Sequence, residues 1–237
     1  MEEKKYGVCD LVFLMDIAGD MRDCIEAVKN NIRLFFDSVA SEEENLYPVK
    51  DWRAKVVGFR DYEEDGPEDW LIDYPFTRDV SELEKELSNI HAYSGGGGDP
   101  FVSFLDASYR VLMMEETDPH QEPDPLKWRH KDDAARFIVV FTDSPYRPLM
   151  AIPEAVGLDV DTINEIMEQK RIFLVLFAPD DACYYPLADR PNTEFITAEG
   201  EALASITYIS NGFSLVMKQL SKLFRHSCMI SLVPESV

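Results

Sequence analysis

A mainly parallel β-sheet covered by helices on both faces is the α/β fold this sequence predicts. Two observations carry that expectation. Short apolar runs alternate along the chain with helical patterns, which is the rhythm of strands buried by crossover helices. In addition, 46% of the 237 residues are apolar, enough to bury one large core, so the chain is not a disordered acidic tail despite its charge. No internal repeat and no composition break divides it, so a single domain over 1–237 is expected.

The elements follow in order. Leu11–Met15 is the first strand, and Met21, Ile25, Val28, Ile32, Phe35 and Val39 then recur at helical spacing. WRAKVVGF is the second strand. WLIDYPFTRDV is a partly exposed edge strand because Pro75 lacks a ladder donor, and the Glu63–Asp69 turn favours antiparallel pairing with the strand before it. SELEKELSNI is a short helix. Gly95–Gly98 and Asp99-Pro100 lead into another helix, in which Phe101, Leu105, Ser108 and Leu112 share a face. ETDPHQEPDPLKWRHKDDA reads as a long surface loop, with Trp128 covering the sheet edge or, with Arg129, meeting a partner. RFIVVF is a core strand. A helix around Thr162–Gln169 leads into IFLVLF, another buried strand. YYPLADRPNTEFITAEGE reads as loop, ITYIS as a last short strand, and Phe213, Val216, Met217, Leu220 and Leu223 as the stripe of a closing helix.

The formal net charge of −22 excludes whole classes of partner. Such a chain repels phosphate backbones and anionic bilayers, so neither nucleic acid nor membrane is expected. The start, MEEKKYGVCD, has no long apolar region of a signal peptide, and no run is long enough to span a bilayer, so a cytoplasmic protein is expected. Cys9, Cys24, Cys183 and Cys228 form no CxxC pair and read as reduced packing thiols. The four histidines form no local pair either.

In open parallel sheets ligands bind beyond the carboxyl ends of the strands. Asp16 ends the first strand, Asp20 follows one turn later, Asp143 ends FIVVFT, and Asp99 sits at the glycine-rich entry to a helix. These loops can meet at one sheet edge, and such a cluster of like charges calls for a cation or protons. All-oxygen donors suit Mg²⁺ or Ca²⁺ rather than zinc. Each aspartate also has a local reading: Asp20 as an N-cap with Asp23 behind it, Asp99 as an N-cap before a proline at the first helical position, and Asp143-Ser144-Pro145 as a turn.

DLVFLMDIAGDM with its long helix, VVGFRDYEEDG, SGGGGDPF and FIVVFTDSP, in this order and spacing over nearly the whole chain, resemble a von Willebrand factor A domain. The resemblance implies a doubly wound sheet with one antiparallel edge strand. It also implies a metal-ion-dependent adhesion site at the top of the sheet, used mainly to bind other proteins. Asp16 matches the first position of the family's Asp-x-Ser-x-Ser loop, but Ala18 stands at the first Ser and Asp20 at the second. Asp99 lies near the second-loop position, and Asp143 matches the third loop. This is a degenerate site, with a hydroxyl lost and a carboxylate gained. Four ionised aspartates would outweigh a divalent charge, so a bound ion would attract a partner's carboxylate poorly. The resemblance thus implies a non-enzymatic protein-binding module acting as an adaptor or assembly component, beside an AAA-type ATPase or a similar machine. The alternatives are a metal-dependent hydrolase using the same aspartates and a metal-free scaffold. The hydrolase lacks an Asp-x-Asp pattern, because position 18 is Ala. GGGGDP is no phosphate loop, since the Lys-Ser/Thr is missing.

Overall fold

A computed structural model describes residues 7–19, 21–41, 48–92, 100–197 and Lys222. Its centre is a six-stranded sheet: β1 (Gly7–Asp16), β2 (Val49–Phe59), β3 (Leu71–Asp73), β4 (Ala135–Phe141), β5 (Ile172–Ala178) and β6 (Thr193–Thr197). The order across the sheet is β3-β2-β1-β4-β5-β6. Every neighbouring pair is parallel except β2 with β3, which run antiparallel with Phe59 opposite Leu71. The doubly wound architecture with its antiparallel edge strand is therefore as expected.

Strand β1 is the hub, and its period-two alternation feeds two cores. Cys9, Leu11, Phe13 and Met15 pack under α1 (Arg22–Ala40) and α3 (Val80–Asn89). Val12 and Leu14 face the other way, toward α4 (Phe104–Met113) and α5 (Val160–Gln169). Helix α1 presents Cys24, Ile25, Val28, Ile32, Phe35, Phe36 and Val39 inward, a stripe repeating every three or four residues. Phe13, Phe35 and Phe36 meet edge-to-face there, with centroids 5.0–6.5 Å apart. A short helix α2 (Tyr62–Asp65), capped by Asp61, fills the connection that turns β2 back into β3.

Three expectations are corrected, and others fall on residues outside the described ones. Asp20, the expected N-cap of α1, lies outside the described residues, and Met21 before the helix supplies no side-chain cap. Helix α4 begins at Phe104 after Ser103, so Pro100 is not at a first helical position. Before it, Val102 bridges Tyr146 and its N–H donates to the Pro145 carbonyl, and that pairing postpones the helix. The segment read as loop after β5 contains a 3₁₀ turn (Ala182–Tyr184), a short helix α6 (Tyr185–Ala188) and the edge strand β6, whose apolar character is only Phe195 and Ile196. ITYIS, Cys228 and the closing stripe lie outside the described residues. Finally, Trp128 and Arg129 do not face a partner. Both are buried: the Trp128 indole N–H donates to the Val111 carbonyl at 2.9 Å, and its ring lies 5.3 Å from Phe76. Trp128 fastens the long 115–134 excursion to α4, beside the bridge of Glu116 with Trp128.

Cys9, Cys24 and Cys183 form no disulfide among the described residues, and the first two are buried. Among the described residues, no helix is long and apolar enough to cross a membrane.

Candidate functional site at the carboxyl edge

The sheet order places β1 between β2, which the chain reaches through α1, and β4, which it reaches from the other side. The carboxyl ends of β1 and β4 therefore flank the switch point at which open α/β sheets bind ligands. Asp16 is the last residue of β1, and Thr142 and Asp143 follow directly on β4. Sequence reasoning put Asp16 and Asp143 together, and the structure does so.

Strand β1 carries a fully buried aspartate near each end, Asp10 and Asp16, and the two live in opposite surroundings. Asp10 receives the Arg53 fork, with Nε and Nη2 both 2.7 Å from its oxygens, plus the Arg129 backbone N–H at 2.7 Å. The Arg129 side chain closes the same pair at 3.3 Å. Asp16 has only neutral donors. The Ala18 N–H donates to Oδ1 at 2.8 Å and the Thr142 hydroxyl donates to Oδ2 at 2.8 Å. Among the described residues, no basic side chain pairs with it. Burial consequently raises the Asp16 carboxyl to about 7, the charge of Asp143 adds to that rise, and the two hydrogen bonds oppose it.

Thr142 was not singled out from the sequence, although it adjoins Asp143. It is buried, its N–H donates to the Phe177 carbonyl at 3.0 Å, and its hydroxyl also accepts from the Ser144 N–H at 3.3 Å. Asp143 itself is exposed and accepts from the Ser144 hydroxyl at 3.0 Å. Tyr184, buried on the 3₁₀ turn after β5, donates its hydroxyl to the Ser144 carbonyl at 2.6 Å. Nothing in the pattern YYP marks that role, because only the packing of the β5 turn over the β4 loop creates it. Tyr184→Phe is expected to cost about 1 kcal/mol, the ordinary worth of one hydrogen bond, measured as a lower urea midpoint with an unchanged slope. Cys24, on the first turn of α1, lies close enough that Asp143 and Asp16 add to the burial that holds its thiol far above the usual range. It is an inert packing thiol.

A second ionic group braces the same edge. Asp61 accepts from Arg147 Nε at 2.8 Å and Nη2 at 2.5 Å, and Ser103 donates to Asp61 at 3.3 Å. Arg147 also reaches Glu63 at 2.9 Å. The ends of β2, the approach to α4 and the loop after β4 are thereby tied together.

A divalent ion would find donors of a suitable kind here, since each Asp16 oxygen keeps a free lone pair and Asp143, Thr142 and Ser144 all offer oxygen. Ala18 offers none. Among the described residues, no group of three acidic, His or Cys side chains is placed to hold an ion. Asp20 and Asp99, the other two expected ligands, lie outside the described residues.

No protein-family model and no curated protein sequence matches this chain. Solved structures do. Proximal thread matrix protein 1 (PTMP1) from the mussel byssus is 12% identical, with a TM-score of 0.53 over 90% of this chain and 47% of that one. A form of the same protein with a zinc-occupied MIDAS motif matches at 12% identity and a TM-score of 0.53, over 90% and 46%. A second crystal form matches at 9% identity and 0.53, over 88% and 48%. The present chain thus spans about half the length of these structures. At such identities the likeness is one of fold, and the fold is the von Willebrand factor A-like one that the sequence resembles.

Proposed function

We propose that this chain is a single-domain, non-enzymatic protein-binding module of the von Willebrand factor A type, working at the carboxyl edge of its sheet as an adaptor or assembly component. The observation that carries the reading is the contrast on β1: Asp10 is neutralised by two arginines, whereas Asp16 is equally buried and left with neutral donors. A buried carboxylate without a counter-charge is costly, and it sits at the switch point where this architecture binds ligands. A cation there would offset the cost. Asp16 and Asp143 would hold Mg²⁺ or Ca²⁺ with Asp20 and Asp99, and the ion would fix the three loops as a rigid rim for a partner protein.

Catalysis has less support. Asp16 is fully buried with both oxygens hydrogen-bonded, so it is poorly placed to attack a substrate or activate water. The nearest tyrosine, Tyr184, is held well above its usual range by burial.

Calorimetric titration of chelator-stripped protein with Mg²⁺, Ca²⁺ and Mn²⁺, beside Asp16→Ala, tests the cation arm. Saturable binding that the variant loses is the expected result. Heats indistinguishable from dilution in the wild type would leave the edge as a metal-free scaffold.

A further inference from the structure

We propose that the loop between β4 and α5, with the turn after β5, is a docking surface for a basic protein segment, one in which one or two apolar side chains are flanked by lysine or arginine. This rests on the carboxyl edge being the working face, and it names what that face takes.

The first observation is apolar. Six large apolar side chains stand exposed among the described residues, and four of them gather here: Leu149, Val156 and Leu158 on the loop and Tyr185 on the neighbouring turn. Met113 and Leu126 are scattered elsewhere, and single exposed apolar residues need no explanation. A gathering at one edge does. The loop is built to present them. The Met150 N–H donates to the Leu158 carbonyl at 2.8 Å, and the Gly157 N–H donates to the Met150 carbonyl at 2.9 Å, which ties the two ends of the 150–158 turn together. Gly157 takes a φ of +80° that a side chain would resist. Below them, buried Asp106 accepts the Ala151 and Ile152 N–H groups at 2.7 and 2.9 Å. A preformed loop binds without an ordering cost.

The second observation is charge. Asp159, Asp161, Asp180 and Asp181 are exposed at this edge, and no basic side chain pairs with them among the described residues. Of the arginines at the loop, Arg110 is paired with the loop's Glu154 at 2.5 Å and Arg147 with Asp61 and Glu63, so neither neutralises these four aspartates. The two loops are one surface: the Tyr146 hydroxyl donates to the Cys183 carbonyl, and Asn164 of α5 donates to the Pro186 carbonyl at 3.1 Å. Asp181, Asp159 and Asp161 all add to the burial that raises the Tyr146 phenol. A segment bringing positive charge and apolar groups gains from both features, whereas an acidic segment would meet uncompensated repulsion.

The test is selection from a displayed library of random peptides against wild type, Val156→Ser/Leu158→Ser and Asp16→Ala. Thermal midpoints confirm that both variants are folded, and Leu149→Ser serves as a second loop variant. The expected winners are lysine- or arginine-rich with an apolar residue. Synthetic copies should bind the loop variants about tenfold more weakly and lose affinity with added salt. Acidic winners whose binding vanishes in Asp16→Ala would overturn this proposal and leave the carboxyl-edge reading standing. Winners that bind all variants alike, or no enrichment at all, would overturn both.

Discussion

Asp10→Ala is expected to destabilise the protein by about 3–5 kcal/mol, the usual penalty for removing one partner of a buried ion pair. Asp10 is fully buried, and Arg53 and Arg129 are 3% and 4% exposed, so the variant strands guanidinium groups that water cannot reach. Arg53 would keep the Asp124 and Lys127 carbonyls and Arg129 would keep Asp51, so the network loses its centre rather than every contact. What the excursion loses is its direct tie to β1, the Arg129 backbone N–H on Asp10, so residues 115–134 should loosen first. Urea unfolding reads the loss, and limited proteolysis between 115 and 134 reads its location. A change below about 1 kcal/mol would mean that the arginines hold the excursion without Asp10. Asp10→Asn should fall between, since it keeps the shape and one acceptor while giving up the charge.

At the other end of β1, Asp16→Asn should stabilise the chelator-treated protein at pH 8, by an amount on the order of 2–4 kcal/mol. The Asp16 carboxyl lies at about 7 in the folded chain against an ordinary 3.8, with burial as the main cause. Folding therefore favours the protonated form. That contribution is complete below about 3.8 and is lost as pH rises through about 7, so wild-type stability falls across this window. Asparagine removes the titration. Its oxygen can still accept from Ala18, and its amide can donate to Thr142, whose hydroxyl then turns toward the Ser144 carbonyl 3.4 Å away. Melting from pH 5 to 8.5 in chelator should slope downward for the wild type and less steeply for the variant, in which the Glu86 carboxyl, also raised to about 7 by burial, still titrates. Saturating Mg²⁺ or Ca²⁺ should reverse the order at pH 8, because only the wild type gains the ion. A variant less stable than wild type in chelator at pH 8 would show that the carboxylate is already well satisfied.

How far these sites were legible in the sequence depends on the range of the interaction. Asp16 could be found because a buried strand that ends on a carboxylate is a local anomaly, and Asp143 because its place after RFIVVF repeats that pattern. Their meeting follows from strand order, which the alternation of apolar runs and helices already implies. Thr142 and Tyr184 were invisible as site residues. Their roles exist only because the turn after β5 folds over the loop after β4, and no local pattern encodes that contact. The helix start expected at Pro100 misled for a similar reason. Asp99-Pro100 is a sound helix start taken alone, but the pairing of Val102 with Tyr146 delays the helix until Phe104.

The sequence by itself determined the sheet, its helical covering and the acidic character of the carboxyl edge, because apolar period and charge are properties of neighbours along the chain. Only the tertiary structure decided which buried aspartate is neutralised and which is not. Arg53 and Arg129 lie 43 and 119 residues from Asp10, and the fold brings both to it and neither to Asp16. The gathering of Leu149, Val156 and Leu158 on one rigid loop is likewise an outcome of packing, since Met150 and Ile152 between them turn inward to the core while their neighbours are left facing out.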